Sequence, residues 1–496
     1  MKITASMLYD HIQCPHRVTM DQFADPQKKD PVSPFVELLW KRGVQYEKEV
    51  IDGLQIPYSD LSSYSSEERQ QKTTELMNQG TELIYAGRIQ ADNLLGDPDL
   101  LKNTGNGYLA GDIKSGAGLE GASEDVTGRP KKHYAVQLAL YTDILERIGQ
   151  SAGRSPFIWD RNGDQIPYEL NSALGTKATD TMWDLYQSEL STVQSLLKHP
   201  ETSLPAYSST CKMCHWRSAC LKQIKEHNDL TLIPELGRSG RDTLISHIKS
   251  VPDLAVADLD QFISGKKTIF PGIGKDRLFK FQERAKLLQQ ADAKPYLTET
   301  IELPQTEVEL FFDVETDPFN DVCYLHGFTE RHHGDNSTEA YVDFYMEEMT
   351  QTEEKRIFEE AWKYIQSKQP CAIYYYSHYE KTIMRKLRKK YPDVVNEDEL
   401  ESLLADFNAV DLFQIVRSCS EWPTNDHSIK TLAKYCGFEW RDTDPSGAAS
   451  IEWYHRWLET GDPDIKNRIL EYNEDDCIAM RVLMDKLSEL ESQRGQ

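Results

Sequence analysis

The sequence predicts an α/β protein in which two sheet-containing domains flank a helical segment. Short apolar strands alternate with amphipathic helices over residues 1–224, and a helical stretch with glycine turns follows over 225–298. Residues 299–496 begin with three consecutive strands, followed by a helix and another strand. A chain of 496 residues is long enough for two or three such cores. We therefore predict three domains with these boundaries.

Composition narrows the class of protein further. The hydrophobic fraction of 39% fits ordinary globular domains, and no apolar run approaches the length of a membrane span. The N-terminal stretch Met-Lys-Ile-Thr-Ala-Ser lacks the apolar core of a signal peptide. We therefore expect a cytoplasmic protein with no membrane partner.

Most of the net charge of −25 belongs to the C-terminal part, because residues 301–496 hold 41 acidic and 21 basic side chains, against 40 and 35 in residues 1–300. This charge argues against a simple nucleic-acid-binding surface. A carboxylate cluster charged with a divalent cation, beside a local basic patch, would still permit such binding. The run 381–390, which includes Lys381 and Arg385, is a candidate patch, and the solvated face of a helix is the alternative.

A predicted β-hairpin carries the first candidate site. One strand begins Gly96-Asp-Pro-Asp99, and the other, after a polar connection, ends Asp112-Ile-Lys114. Residues two apart in a strand share a face, so Asp112 and Lys114 should lie side by side. Carboxylates that hold Mg²⁺ or Mn²⁺, next to a lysine near the attacking water, suit metal-assisted hydrolysis. A surface salt bridge is the alternative interpretation of this pattern alone.

A helix is predicted over 133–147, and it places Gln137 and Tyr141 four residues apart on one face. The stretch 156–170 predicts a hairpin that turns at Asn162-Gly163. Further helices are predicted over 35–54, 66–79 and 178–198.

Four of the nine cysteines bracket this hairpin. Cys14 lies in the first predicted helix, over 3–22, and a C-x₂-C-x₅-C run far downstream comprises Cys211, Cys214 and Cys220. Zinc sites usually show two close pairs of ligands, whereas a lone cysteine with a triplet favours a [4Fe–4S] cluster. Zinc and free thiols are the alternatives.

Together, the G-x-x-D, D-x-K and Q-x₃-Y segments and the bracketing cysteines resemble the iron–sulfur RecB-like nucleases of the PD-(D/E)xK superfamily. The resemblance implies a restriction-endonuclease-like α/β core and Mg²⁺-dependent phosphodiester cleavage of DNA ends or single strands. By position it implies that Asp99 and Asp112 are metal ligands and that Lys114 is the catalytic lysine. It also implies that Gln137 and Tyr141 support the site. Glu47, in an earlier helix, is a further candidate, and Asp97 competes with Asp99.

The stretch 225–298 is similar to helix-hairpin-helix elements, most clearly at Phe270-Pro-Gly272-Ile-Gly274-Lys275. There the backbone N–H groups of the turn and the start of the next helix could hold a DNA phosphate. A helical linker with glycine caps is the alternative.

The C-terminal part carries a second acidic pattern. A buried-looking strand ends Asp313-Val-Glu315, and a late helix places Tyr472 and Asp476 on one face. The order of strands and helices matches an RNase H-like fold, and the acids resemble the four-acid (DEDD) 3′–5′ exonucleases of the tyrosine subtype. The resemblance implies that Asp313, Glu315 and Asp476 are metal ligands and that Tyr472 orients the attacking water.

The fourth acid of the DEDD pattern is usually an aspartate, and this sequence differs there. Glu380 occupies the place of the usual aspartate and is one methylene longer. Asp411 is a possible extra acid, although an ordinary aspartate at the start of a helix is the alternative.

The combined order of domains resembles a family of predicted bacterial RecB-like nucleases with a C-terminal RNase H-like domain. It predicts a metal-dependent nuclease with two active sites that acts on DNA in repair, recombination or defence. The alternatives are a nucleic-acid-binding adaptor with inactive sites that works with a helicase partner, and an RNA-processing 3′–5′ exonuclease.

Overall fold

The computed structural model describes residues 1–121, 128–175, 178–405, 408–443 and 445–490. The chain divides into two compact units, Met1–Lys222 and Gln223–Gln496. The helical stretch 225–298, which the sequence suggests as a separate domain, lies within the second unit. Within these described ranges, no helix combines the length and the apolar character that a bilayer span requires.

The first unit is built on a six-stranded mixed sheet with the strand order β11-β10-β7-β6-β3-β2. β6 and β7 form the predicted hairpin, and β10 and β11 form the hairpin predicted around Asn162-Gly163. A three-stranded sheet, β1-β5-β4, and a two-stranded sheet, β8-β9, lie beside it. The strands are β1 Ile3–Thr4, β2 Ser59–Asp60, β3 Leu83–Tyr85, β4 Ile89–Ala91, β5 Leu94–Gly96, β6 Leu100–Asn103, β7 Tyr108–Ile113, β8 Leu119–Glu120, β9 Arg129–Pro130, β10 Phe157–Trp159 and β11 Gln165–Pro167.

Helix α5 is the core helix of this unit, because eleven of its sixteen residues are buried. It packs with α1 and α6 and against the sheet. The helices are α1 Ala5–Gln13, α2 Pro15–Phe23, α3 Pro34–Asp52, α4 Ser66–Asn78, α5 Lys132–Arg147, α6 Met182–Lys198 and α7 Arg217–Glu226.

Two predictions for this unit are wrong in detail. The helix predicted over 3–22 begins as a strand and is interrupted at Cys14, because Pro15 disfavours the helical conformation of the residue before it. The strand predicted over 96–101 is split, since β5 ends at Gly96 and β6 begins at Leu100. Pro98, which has no backbone N–H to donate, lies between the two strands.

The second unit contains a five-stranded sheet with the order β17-β16-β15-β18-β19. The first three strands are antiparallel neighbours, whereas β18 and β19 run parallel to β15. This arrangement agrees with the predicted RNase H-like order. The strands of this unit are β12 Ile263–Ser264, β13 Lys267–Thr268, β14 Tyr296–Leu297, β15 Val308–Asp317, β16 Val322–His332, β17 Asp335–Tyr345, β18 Cys371–Tyr375, β19 Ala409–Asp411 and β20 Ser420–Glu421.

Helix α17 lies on this sheet and contacts β15, β16 and β18. The helical stretch is held to the rest of the unit by Arg284, whose fully buried guanidinium donates to Glu421 Oε2 at 2.7 Å and to Pro234 O at 2.8 Å. The helices are α8 Gly237–Leu244, α9 Val251–Val256, α10 Lys275–Gln289, α11 Gln351–Ser367, α12 Tyr379–Lys390, α13 Glu397–Leu403, α14 Leu412–Cys419, α15 Ile429–Tyr435, α16 Gly447–Thr460 and α17 Pro463–Glu489.

Candidate metal centres

The first centre forms where β6 begins and β7 ends. Asp99 lies just before β6, Asp112 lies in β7, and Lys114 follows that strand. The Ile113 N–H donates to Asp99 Oδ2 at 2.7 Å, and the Lys114 ammonium lies 2.9 Å from Asp112 Oδ2. The hairpin therefore brings together both predicted carboxylates and the predicted lysine.

The competing carboxylate, Asp97, has different neighbours. Its side chain is exposed and lies 3.2 Å from Arg69 and 3.6 Å from Arg88. Asp99, by contrast, shares its surroundings with Asp112, whose side chain is only 1% exposed. The geometry therefore favours Asp99 as the partner of Asp112.

Burial, and then the charge of Asp112, raise the pKa of Asp99 well above its usual range. Lys114 opposes this rise, and Glu47 adds to it, which places Glu47 near the centre. Glu47 Oε1 accepts a hydrogen bond of 2.8 Å from the Tyr85 hydroxyl. Helix α3 thus contributes a third carboxylate, as the sequence suggests.

Lys114 keeps its charge at this centre. Burial opposes the charged ammonium, but the carboxylates of Asp112 and Asp99 outweigh burial and raise the pKa of Lys114. The ring of Tyr134 lies 5.8 Å from the ammonium. His133, beside Tyr134, is neutral at pH 7, because burial and then the charges of Lys131 and Lys114 lower its pKa to about 4. Sequence reasoning missed Tyr85, Tyr134 and His133, which belong to no spaced motif.

Helix α5 supports the centre through the predicted glutamine and tyrosine. Gln137 Nε2 donates to the Tyr141 hydroxyl at 3.1 Å, and that hydroxyl donates to Asp97 O at 3.3 Å. A Cβ at Gly96 would lie 2.6 Å from Tyr141 Cδ1, closer than side-chain atoms approach one another. The glycine of the G-x-x-D segment therefore lets α5 lie against the strand that leads to Asp99.

At the first centre, the buried Gln137 Oε1 has no hydrogen-bond partner, and Asp112 Oδ2 contacts the Lys114 ammonium at 2.9 Å. Oxygen atoms of carboxylate and amide groups are the ligands that Mg²⁺ and Mn²⁺ prefer. Together with Asp99, these residues fit a divalent cation, and such a cation would satisfy the Gln137 oxygen, which has no partner in the protein.

The chain fold also brings the distant cysteines toward one another. His215 Nε2 and Trp216 Nε1 both contact Asp21 Oδ1, at 2.8 and 2.9 Å, and so hold the segment after Cys211 against α2. Burial raises the pKa of the Cys214 thiol, the Trp216 N–H and Arg17 lower it, and Cys14 and Cys211 raise it further. These influences place Cys14 and Cys211 near Cys214, whereas Cys220 lies in the first turn of α7.

The second centre is a carboxylate triad. Asp313 and Glu315 lie on β15, Asp476 lies on α17, and one carboxylate oxygen from each lies within 4.8 Å of the other two. Among the described residues, no other set of three acidic, histidine or cysteine ligands comes this close. Three converging carboxylate oxygens are a ligand set for Mg²⁺ or Mn²⁺.

Burial, together with the charges of neighbouring acids, raises the pKa values of these carboxylates. Burial, then Asp476 and Glu315, raise the pKa of Asp313 well above its usual range. Burial and then Asp476 raise the pKa of Glu315 to about 8. Burial also raises the pKa of Asp476, and Lys430 is the largest opposing influence. A divalent cation would relieve this repulsion, so the triad fits one.

A lysine that the sequence did not indicate completes the second centre. The Lys430 ammonium, on α15, donates to the Tyr472 hydroxyl at 2.9 Å and lies 4.7 Å from the centre of that ring. Trp440 Nε1 donates to Asp476 Oδ1 at 2.7 Å. Lys430 therefore positions Tyr472, and Trp440 positions Asp476. Neither Lys430 nor Trp440 belongs to the acidic motifs of the sequence.

A glycine allows α17 to reach the triad. Asn473 Nδ2 donates to Asp313 Oδ2 at 2.7 Å, and Asn473 Oδ1 accepts from the Tyr341 hydroxyl at 2.8 Å. Gly327, which pairs with Asp313 across β15 and β16, leaves the room, because a Cβ there would lie 1.6 Å from Asn473 Oδ1.

Glu380 lies at the start of α12, beside the triad. Burial, and then the charges of Asp411 and Asp476, hold its pKa well above the usual range, and its Oε2 has no hydrogen-bond partner. Asp411 caps α14, because its Oδ1 accepts from the N–H of Gln414 at 3.2 Å. Ser377, three residues before Glu380, has a φ of +98°, an unusual conformation that clusters at functional sites.

The predicted nucleic-acid contacts outside the two centres have varied surroundings. Lys381 is only 6% exposed, with its ammonium 5.2 Å from the Tyr375 ring, and Arg385 pairs with Glu401 at 2.6 Å. Helix α12 is therefore less positive than its sequence suggests. In the glycine turn, Gly272 has a φ of +77°, Gly274 caps α10, and Lys275 is the first residue of that helix.

Family models match both of the sheet-containing parts of the chain. Residues 20–221 match the family model of the PD-(D/E)XK nuclease superfamily, and residues 310–488 match that of the RNase H superfamily. The chain therefore carries one domain of each superfamily, as predicted, and is an enzyme of the class that acts on nucleic acids. No curated protein matches the chain.

Proposed function

We propose that this protein is a metal-dependent nuclease that hydrolyses phosphodiester bonds of DNA at two separate centres, on single strands or at strand ends. The observation that carries the proposal is the triad Asp313, Glu315 and Asp476, whose oxygens lie within 4.8 Å of one another. Three carboxylates this close, one of them on the buried Glu315 and two on partly buried residues, are costly unless a cation joins them. The family matches over 20–221 and 310–488 support the same chemistry in both domains.

At the first centre, Asp99, Asp112 and the Gln137 carbonyl would hold Mg²⁺ or Mn²⁺. The ion supplies Lewis-acid activation of the phosphate and of the attacking water. The carboxylates of Asp112 and Asp99 raise the pKa of Lys114, so its ammonium can donate a hydrogen bond to the phosphate or orient the water. Glu47 and Tyr141 fix the surroundings of these groups.

At the second centre, Asp313, Glu315 and Asp476 would hold the ion, and Glu380 would supply the fourth carboxylate. The Tyr472 hydroxyl is positioned by Lys430 at 2.9 Å. Because burial and then Asp476 hold the pKa of Tyr472 well above its usual range, the hydroxyl keeps its proton and orients the attacking water as a hydrogen-bond partner.

The test is cleavage of end-labelled single-stranded DNA, duplex DNA and RNA by the wild type and by the Lys114→Ala and Asp313→Ala variants, with Mg²⁺ or Mn²⁺. We expect each variant to lose one cleavage activity by about 10²–10⁴-fold and to keep the other. Loss of RNA cutting alone in Asp313→Ala would favour the RNA-processing alternative. A wild type that binds DNA but cuts none of these substrates would favour the adaptor that works with a helicase.

A [4Fe–4S] cluster held by Cys14, Cys211, Cys214 and Cys220 belongs to the same proposal. The influence of Cys14 and Cys211 on the Cys214 thiol supports it, and so does the Trp216 N–H, a hydrogen bond of the kind that tunes cluster sulfurs. The cluster would join α1 to the end of the first unit. Anaerobically purified protein should be brown and contain iron, whereas a colourless, zinc-containing protein would refute the cluster.

The setting of this activity is also part of the proposal. We place the enzyme in the cytoplasm, in DNA repair, recombination or defence, with a helicase as a partner that supplies single strands. Co-purification of a DNA-dependent ATPase with the tagged full chain would support the helicase partner. Loss of the ATPase when nuclease-resistant competitor DNA is added would show instead that bound DNA joins the two proteins.

A further inference from the structure

Helix α3 carries large apolar side chains that are exposed to solvent. Ile51 is the one buried residue in this helix, all of which the structure describes, and Tyr46 and Val50 are half-buried against the same cluster. In the N-terminal half of the helix, Trp40 is 60% exposed and Val44 is 69% exposed, whereas Val36 and the leucines 38 and 39 are half-buried. Large apolar side chains this exposed on one helix indicate a contact surface.

The exposed tryptophan shares a face with a residue of the first centre. Gly43 and Trp40 lie four and seven residues before Glu47, so all three are on one side of the helix. Glu47 accepts a hydrogen bond from Tyr85 and raises the pKa of Asp99, so Glu47 lies near the first centre. The face that Glu47 shares with Trp40 therefore leads toward that centre. A Cβ at Gly43 would meet nothing within 4 Å, so the space along this face is open.

The distance along the helix fits a nucleic acid strand. Seven residues at 1.5 Å each put Trp40 about 10 Å from Glu47, which equals about three stacked bases. An aromatic ring at that position would meet a base whose phosphate lies a few nucleotides from the cleavage point.

We infer that the face of α3 formed by Trp40 and Gly43 is a stacking platform for unpaired bases of a single strand that enters the first centre. The inference rests on the proposed function of that centre. A strand is the occupant that fits, because the face runs directly into the carboxylates, and two exposed apolar side chains are far fewer than a stable protein interface requires. Paired bases are already covered by their neighbours, so the platform selects single-stranded substrate.

The test is a binding measurement on the full chain. Fluorescence anisotropy gives the Kd for a labelled single-stranded oligonucleotide and for a strand of equal length with abasic sites, in Ca²⁺. Trp40→Ala should weaken binding of the normal strand by about 5–150-fold, as loss of one stacked base does, whereas Trp40→Phe should stay within about 3-fold. Gln45→Ala, on the opposite face of α3, is the matched control and should bind as the wild type does.

The abasic strand decides whether the contact is direct. The wild type should bind it more weakly than the normal strand, and Trp40→Ala should bind both strands equally. Gly43→Leu, which fills the open face, should weaken the normal strand as much as Trp40→Ala does. If Trp40→Ala leaves the Kd unchanged, or keeps the full abasic penalty, the platform is refuted. A change confined to the sedimentation coefficient would assign the face to a protein contact and would also refute it.

The outcome separates this inference from the proposed function. Cleavage with Mg²⁺ is measured in parallel on the same oligonucleotide in an Asp313→Ala background, so that only the first centre can act. Cleavage that does not depend on Trp40 refutes the platform and leaves the nuclease, whereas a Trp40-dependent Kd without any cleavage refutes the nuclease.

Discussion

Asp476→Asn should stabilise the metal-free second unit while it abolishes cleavage there. Asp476 is the largest charge influence on both Asp313 and Glu315. At a separation of at most 4.8 Å, one ionised pair repels by about 3 kcal/mol at an effective dielectric constant of about 20. The asparagine keeps an oxygen that can accept the Trp440 hydrogen bond, so the change removes charge and little else.

The sign of the pH dependence follows from the raised pKa values. Glu315 has a pKa of about 8 in the folded state, against about 4.3 for an unfolded glutamate, so the folded state binds more protons between these values. The stability contribution of this group is therefore greatest at low pH and is lost as the pH rises toward 8. Asp476→Asn removes part of that loss.

The assay is differential scanning calorimetry in EDTA at pH 5.5 and 8.5, and then with Mg²⁺. At pH 8.5 the variant should gain about 1–3 kcal/mol in the free energy of unfolding of the second unit, which corresponds to an increase in Tm of roughly 3–10 °C. At pH 5.5 the gain should be small. Mg²⁺ should stabilise the wild type more than the variant, because only the intact triad binds it well.

Glu471→Gln, an exposed change on the same helix, is the control and should alter neither value. A variant that is equally destabilised at both pH values, or that responds to Mg²⁺ as the wild type does, would refute the account of the triad as a strained cation site.

Three further changes test other parts of the account. Gly96→Ala should push Tyr141 away and lower cleavage at the first centre by about 10–100-fold, measured in an Asp313→Ala background; unchanged rates would refute the packing argument. Lys430→Met should raise the pKa values of Asp313, Glu315 and Asp476 further and move the pH–rate profile of the second centre to higher pH; an unmoved profile would exclude this role of the lysine. Arg284→Met should cost about 3–5 kcal/mol of unfolding free energy in urea, because Glu421 is left buried without its main partner, and Arg284→Met/Glu421→Leu should recover most of it; a full additive loss in the double variant would contradict this.

The predictable parts of both centres are those fixed by local spacing. Asp112 and Lys114 meet because they are two apart at the end of one strand, and Asp313 and Glu315 meet for the same reason. Gln137 and Tyr141 bond because they are one helical turn apart. These relations need no knowledge of the tertiary fold, so the sequence alone predicts them.

The parts that escaped prediction depend on the approach of distant elements. Lys430 reaches Tyr472 from α15, and Asn473 fits beside Asp313 only because Gly327 has no side chain. Both contacts join residues that lie far apart in the sequence, so no short motif predicts them. The surroundings of the run 381–390 were unpredictable for a related reason, since carboxylates from other elements pair with it, among them Glu354 and Glu401.

The most direct test of the central claim compares the wild type with Lys114→Ala, Asp313→Ala and the double variant in single-turnover cleavage of end-labelled DNA. Cleavage should require Mg²⁺ or Mn²⁺, each single variant should keep one activity, and the double variant should keep none. Metal-dependent cleavage that survives in the double variant would contradict the assignment of the two centres.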